Sequence, residues 1–304
     1  MRPPCLPLLY IALILIAAVS CRPSVETPGP QYAATPVRLN VSTYRFAVYP
    51  LYNPTKLFQV YQPLIDYLNK NLGNAQFTLE ASRDYAAFED KYGKREPDFL
   101  LPNAWQTLQA IQSGYHVIAT AGEPSDFKGI FIVRKDSTIK QPADLKGKAI
   151  SYPSATAFAA CIMPQYWLYQ NHIDIKRDIE NHYVGSQESS IMNVYLKLTA
   201  VGATWPPPWR AFQVDHPQQA NELKVLWETE SLINNSVMAR DDVPTDVQER
   251  IQTLLAGLDK TQEGKAILAG METARFILAK DKDYDVVQVY VSRFEKDVRK
   301  VNEP

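Results

Sequence analysis

From Tyr44 onward, short apolar runs alternate with stretches of helical period, and no other feature of the chain restricts its fold as strongly. YRFAVYP reads as a strand. In TKLFQVYQPLIDYLNKNLG, Leu57, Val60, Leu64, Ile65 and Leu68 share one helical face, with Gly73 as the expected stop. AQFTLEA, PDFLLP and HVIATAG follow as strands, separated by the helices RDYAAFEDKYG and AWQTLQAIQSG. A second round runs through strand GIFIVRKDS, the short capped helix QPADLKG, strand KAISYP and the helix it feeds. Strand NHYVG, helix SQESSIMNVYLKLT with Ser186 at its N-cap, and strand VGATW complete it. PPPW then forbids helix for several residues. Beyond ELKVLWET and NNSVMARDDVP come three amphipathic helices, PTDVQERIQTLLAGLD, TQEGKAILAG and YDVVQVYVSRFEKDVRKV. Short connections between strands and helices indicate βαβ units, so the expected class is α/β, with mixed, mostly parallel sheets flanked by helices. Two such rounds predict two lobes, and ligands of these folds bind in the crevice at the carboxyl ends of the strands.

The stretch before this body reads differently. Residues 1–21, MRPPCLPLLYIALILIAAVSC, have one Arg near the start, an apolar run and small residues before Cys21, the pattern of an export signal. Ala18 and Ser20 ahead of Cys21 are similar to a bacterial lipobox, which implies lipidation of Cys21 after cleavage and a place in the periplasm or cell envelope. Residues 22–41 carry four prolines and no period, and are expected to form an extended tether. The body then divides into a first lobe over 42–130, a second over 131–234, and a return to the first lobe with C-terminal helices over 235–304.

Composition excludes several functions. Thirty-two basic residues against 33 acidic leave no basic excess for a nucleic-acid partner. Cys161 is the only cysteine beyond Cys5 and Cys21, so no disulfide is expected inside the body. His116, His172, His182 and His216 are scattered, with neither HExxH nor a Cys/His pair at metal spacing, and no GxSxG, GxGxxG or P-loop is present. Asp241 and Asp242, ahead of Pro244, read as loop and cap residues. An exported chain of this kind is expected to bind, with no enzymatic role, cofactor or metal.

The positive signals are helix starts and aromatic side chains. A helix N-terminus presents unpaired N–H groups and partial positive charge to an anion. In ISYPSATAFAACIMPQYWL, Ser154 and Thr156 stand at one expected start, and Ser186 with Gln187 stands at another. Singly, each Ser is more often a cap than a ligand contact. Tyr49, Tyr52, Tyr85, Trp105, Trp205 and Trp209 recur just after strands, where a crevice is lined.

In segment order the chain resembles the phosphate-, phosphite- and phosphonate-binding proteins of ABC importers, a type II periplasmic binding protein family. The resemblance runs from Tyr44 to Gly270 and is carried by YRFAVYP, LIDYLNKNLG, DYAAFED, PDFLLPNAW, GIFIVRKDSTIKQPADLKGKAISYPS, YVGSQESSIMNVYLKLTAVGATW and LKVLWETESLINNSVMARDDVP. It implies a small anion held in a hinged cleft. The family's Ser-Thr-Ser-Gly-like turn falls on Ser154, Ala155, Thr156 and Ala157, a register that would shift by about two residues if Pro164 rather than Pro153 set the alignment. Its Gly-Ser-His turn falls on Gly185, Ser186 and Gln187, while Tyr49, Tyr85 and Asn103 complete the implied cleft. TWPPPW puts Trp205, expected to shield the ligand, where the family's strand ends in a small polar or acidic residue. The turn here has one hydroxyl fewer and no Gly, and Gln187 replaces a protonatable donor.

The leading expectation is a lipid-anchored monomer that delivers a small oxyanion to an ABC permease. A sensory protein docking on a membrane histidine kinase would have the same fold and site. Cys161 as a thiophilic ligand for arsenite, and Glu188 as a general base, are lesser readings. FAACIM reads as core, and Glu188 suits the first turn of a helix.

Overall fold

A computed structural model describes residues 41–303. The expected export signal, Cys21 and nearly all of the expected tether lie outside the described residues.

The first sheet starts with β1, Ser42–Val48, whose Phe46, Ala47 and Val48 are fully buried. Helix α1, Pro54–Asn71, begins where Asn53 accepts from the Lys56 N–H and Pro54 supplies a preset φ. It buries Leu57, Tyr61, Leu64, Ile65 and Leu68, so Tyr61 takes the place expected of the half-buried Val60. Gly73 follows in the left-handed region at φ 36°, as a stop requires. Next come β2 (Ala75–Glu80), α2 (Tyr85–Gly93), β3 (Phe99–Leu101), α3 (Ala104–Gln112) and β4 (Tyr115–Ala121).

The chain then crosses to a second sheet. This contains β5 (Ile130–Arg134), β6 (Lys148–Tyr152), α4 (Met163–Gln170), β7 (Ile179–Tyr183), α5 (Gln187–Tyr195), β8 (Val201–Thr204), α6 (Pro206–Asp215), α7 (Pro217–Ala220) and β9 (Leu223–Glu228). It returns to the first sheet with β10 (Ser236–Arg240), α8 (Thr245–Gly257), α9 (Gln262–Gly270) and β11 (Phe276–Leu278), and ends in α10 (Asp285–Asp297).

The strand orders are β11-β4-β10-β3-β1-β2 and β7-β6-β8-β5-β9. Both sheets are mixed: β1 pairs parallel with β2 and β3, and β6 with β7 and β8, whereas β5, β10 and β11 enter antiparallel. In β5 the alternation of pleat directions puts Phe131 and Val133 in the main core and Ile130 and Ile132 in a second one with Ile191, Trp209 and Phe212. A strand covered on both faces accounts for the unbroken apolar run IFIV.

Three local expectations change. PPPW does not forbid helix: Pro206, Pro207 and Pro208 open α6, because the first turn of a helix has N–H groups without intrahelical partners and loses nothing when proline removes them. QPADLKG forms only a 3-10 turn, Pro142–Leu145. The helix expected at Ser154 starts at Phe158, with a π-turn over Phe158–Ile162 that runs into α4.

Gly129 lies just before β5, under this π-turn. A Cβ added there would sit 2.5 Å from the Ala159 carbonyl oxygen and 2.8 Å from the Pro164 ring. Gly129→Ala is therefore expected to cost about 1–3 kcal/mol by overpacking against backbone, read as a lowered chemical-denaturation midpoint. An unchanged midpoint would mean that this contact is loose.

Candidate functional site

Several element ends meet where the two sheets face each other. Tyr49 extends β1 by donating its N–H to Leu101 O (3.0 Å). Tyr85 is the first residue of α2, behind the N-cap Asp84. Asn103 forms a reciprocal capping box with Gln106 at the start of α3, and Gln187 is the first residue of α5, behind the N-cap Ser186. Trp205 precedes α6. Together with Phe127, Asn235 and Ala157–Ala160, the side chains of Tyr49, Tyr85, Asn103, Gln187 and Trp205 enclose a cavity of about 10 Å³. A neighbouring cavity of about 20 Å³ shares Trp205 and Asn235 and reaches Asp126 and Glu272. Each volume suits roughly one water molecule, so a solute of several heavy atoms enters only when the facing walls separate.

The walls are aromatic and neutral. Tyr49 and Tyr85 meet edge to face at 6.1 Å, Phe127 meets Trp205 at 5.6 Å, and Phe127 stacks on Phe158 at 6.0 Å. Gln187 Nε2 donates to Tyr85 Oη (3.3 Å), and Thr204 donates to Gln187 Oε1 (2.7 Å). Asn235 Nδ2 donates to Tyr49 Oη (3.1 Å). Both phenol oxygens thus accept from an amide, and each O–H proton is left to turn toward the cavity. Burial pushes the Tyr49 and Tyr85 hydroxyls well above their ordinary range and keeps them protonated. Among the described residues no Lys, Arg or His lines this cavity.

The π-turn supplies the strongest polar feature. Ile162 N–H bonds Ala157 O, and Met163 N–H bonds Phe158 O, so the ladder begins at residue 162. The N–H groups of Phe158, Ala159 and Ala160 have no protein acceptor among the described residues, although all three residues are at least nine-tenths buried and line the cavity. Wider i→i+5 winding leaves one more donor without its rung than an α-helix would, here the N–H of Cys161, a residue that does not line the cavity.

Four residues expected at the site have other occupations. Thr156 Oγ1 donates to Glu89 Oε1 (2.7 Å), and Asn103 Nδ2 donates to Thr156 O (3.1 Å), so Thr156 ties the approach to the π-turn to α2 and α3. Ser154 Oγ accepts from the Thr156 N–H (3.3 Å), and Ala155 O accepts from Arg299 Nη2 (3.0 Å). Ser186 Oγ accepts from the Ser189 N–H (3.0 Å) and donates to Ser189 Oγ (2.8 Å), which makes it a cap. None of these four lines the cavity, and Ala157–Ala160, three residues further on, stand where Ser154–Ala157 were expected. Phe127, Phe158 and Asn235 were not anticipated. The polar pair Asn234-Asn235 directly before an apolar strand was the available signal for the last.

Cys161 is fully buried, 3.6 Å from Arg299 Nη2, and burial pushes its thiol up to about 12. It does not line the cavity, which removes the arsenite reading. Glu188 is a first-turn residue bonded to His216 (3.1 Å). Among the described residues no group of three His, Cys, Asp or Glu could hold a metal, and no helix is long and apolar enough to cross a membrane.

Comparisons with known proteins agree with this fold. A family model described as ABC transporter, phosphonate, periplasmic substrate-binding protein matches residues 46–284. A probable ABC transporter phosphite-binding protein of Prochlorococcus marinus is 25% identical over 57% of this chain, and the match spans 62% of that protein, less than two thirds of its length. The phosphonates-binding periplasmic protein of Escherichia coli is 22% identical over 72% of this chain and 67% of its own. The P. marinus protein solved with methylphosphonate superposes with TM-score 0.77 at 20% identity, covering 84% of this chain and all of that one. A binding component of a Pseudomonas aeruginosa phosphonate transporter gives 0.76 at 16% identity, over 84% and 87%.

Two outcomes follow. Ser186→Ala is expected to lower unfolding free energy by about 1 kcal/mol, the value of an N-cap, and to leave ligand affinity unchanged; a large affinity loss in calorimetry would return Ser186 to the ligand. Glu89 is held above the ordinary carboxylate range, first by burial, so the fold favours its protonated form. Its contribution to stability is complete in acid and is lost as pH rises through the raised value. Glu89→Gln keeps the acceptor for Gln106 and Thr156, so its melting temperature is expected to match the parent's in acid and exceed it near neutral pH.

Proposed function

Because the chain belongs to the family of periplasmic substrate-binding proteins of phosphonate ABC transporters, we propose that it is an importer's solute receptor and closes over a small phosphonate-like oxyanion. The mechanism is closure of two lobes, residues 42–130 with 235–304 against 131–234, around the cavity bounded by Tyr49, Tyr85 and Trp205. The observation that carries this reading is the run of three buried, unpaired N–H groups on Phe158, Ala159 and Ala160 at the start of a helix. Oriented backbone dipoles in a dry site hold an anion without a cationic side chain. Hydrogen bonds to a charged acceptor are shorter and stronger than neutral ones.

Two phenol donors and the second Gln187 amide proton add to this set, while Phe127, Phe158 and Trp205 cover the rest of the solute. The relatives support the ligand class, since their names refer to phosphite and phosphonates and one is solved with methylphosphonate. Residues 1–21 and Cys21 support lipid anchorage at the envelope, with the permease as partner.

In a thermal-shift screen of the purified protein, methylphosphonate, phosphite or phosphate is expected to raise the melting temperature by mass action; no shift with any tetrahedral oxyanion would sink the proposal. Tyr85→Phe removes one donor to the anion and is expected to weaken binding by about 1.5–3 kcal/mol, measured by calorimetry.

A further inference from the structure

The donors of the cavity face one acceptor. Asn235 is 3% exposed, borders both the main and the neighbouring cavity, and spends its Nδ2 on Tyr49 Oη. Its Oδ1 is buried and has no hydrogen-bond partner. A buried carbonyl oxygen left in this way is costly unless the ligand brings it a proton.

We propose that the site selects an oxyanion that still carries one O–H, which Asn235 Oδ1 accepts, while Phe158, Ala159 and Ala160 hold the ionised oxygens. The inference rests on the oxyanion-receptor reading and adds the protonation state of the solute. A singly protonated phosphonate or hydrogen phosphate satisfies every group. A sulfonate, or a fully ionised phosphonate, presents only lone pairs to Asn235 Oδ1, leaves that oxygen unpaired and sets two acceptors against each other. A site built to pair with a ligand hydroxyl rejects the analogue that lacks it.

The charged and titratable groups near Asn235 do not supply the missing proton. Tyr49 already accepts from Asn235 Nδ2, and Tyr85 stands beyond Tyr49, bonded to Gln187. On the side of the neighbouring cavity, Asp126 and Glu272 both pair with Arg210. Glu89 is engaged by Gln106 and Thr156 and does not line the cavity.

The test is calorimetry on the unmodified protein with three ligands across a pH series: methylphosphonate, difluoromethylphosphonate, whose second ionisation is lower, and methanesulfonate. The expected result is a Kd for each phosphonate that rises about tenfold per pH unit above that ligand's own second ionisation. The midpoint should move to lower pH for the fluorinated compound, and methanesulfonate should bind about a hundredfold more weakly or not at all. A pH-independent Kd, a midpoint common to both phosphonates, or sulfonate binding as tight as phosphonate would overturn the inference while leaving an oxyanion receptor standing. No binding by any of the three would overturn the receptor reading and this inference with it.

Discussion

A buried peptide N–H obliges the fold to find it an acceptor, and at the start of the helix that follows β6 the described residues offer none. Much of the surrounding structure maintains that condition. The π-turn winds Ile162 and Met163 back to Ala157 and Phe158, and the N–H groups of Phe158, Ala159 and Ala160 are left without an acceptor among the described residues. Phe158 is wedged between Phe127 and Tyr290, which excludes water from that side. Arg299, buried among backbone carbonyls and Gln165, fixes Ala155 from behind. In the proposed complex an anion offsets the cost of the unpaired donors by turning them into charge-assisted hydrogen bonds.

The bonds that join the facing walls have a common character. Tyr85 with Gln187 and Asn103 with Thr156 are neutral pairs, Thr156 also donates to the Glu89 carboxyl, whose protonated form burial favours, and the ionic ties, Lys56 with Asp215 and Arg210 with Glu272, lie outside the main cavity. Neutral bonds that water can replace contribute about 1 kcal/mol each. Closure held by such contacts reverses easily without a solute, and the solute's own bonds decide the balance.

The fold was largely legible in the chain because each strand and helix carried its own period and stop. Asn53, Asp84, Asn103 and Ser186 all cap helices. Less of the site was legible, since its central polar groups are backbone N–H groups, and a backbone donor has no residue type. SATA advertised hydroxyls, yet the walls formed three residues later from AFAA, whose side chains say core. Asn235 was hidden for another reason: an amide that satisfies one neighbour and leaves one atom free looks, in sequence, like any strand-edge asparagine. β11 also escaped notice, being three residues long and paired only at an edge.

The C-terminal segment has a mechanical role that follows from its two attachments. Tyr284 bonds Asn234 O and Thr120 beside the first sheet, while Arg299 grips Gln165 and Ala155 beside the second. The chain crosses between the sheets from β4 to β5 and from β9 to β10, and helix α10 makes a third link through these attachments. In the closure proposed above, such a strut would bound the opening angle, because the fourteen residues from Tyr284 to Asp297 can swing only so far before Arg299 is pulled from Gln165 Oε1 and the Ala155 carbonyl.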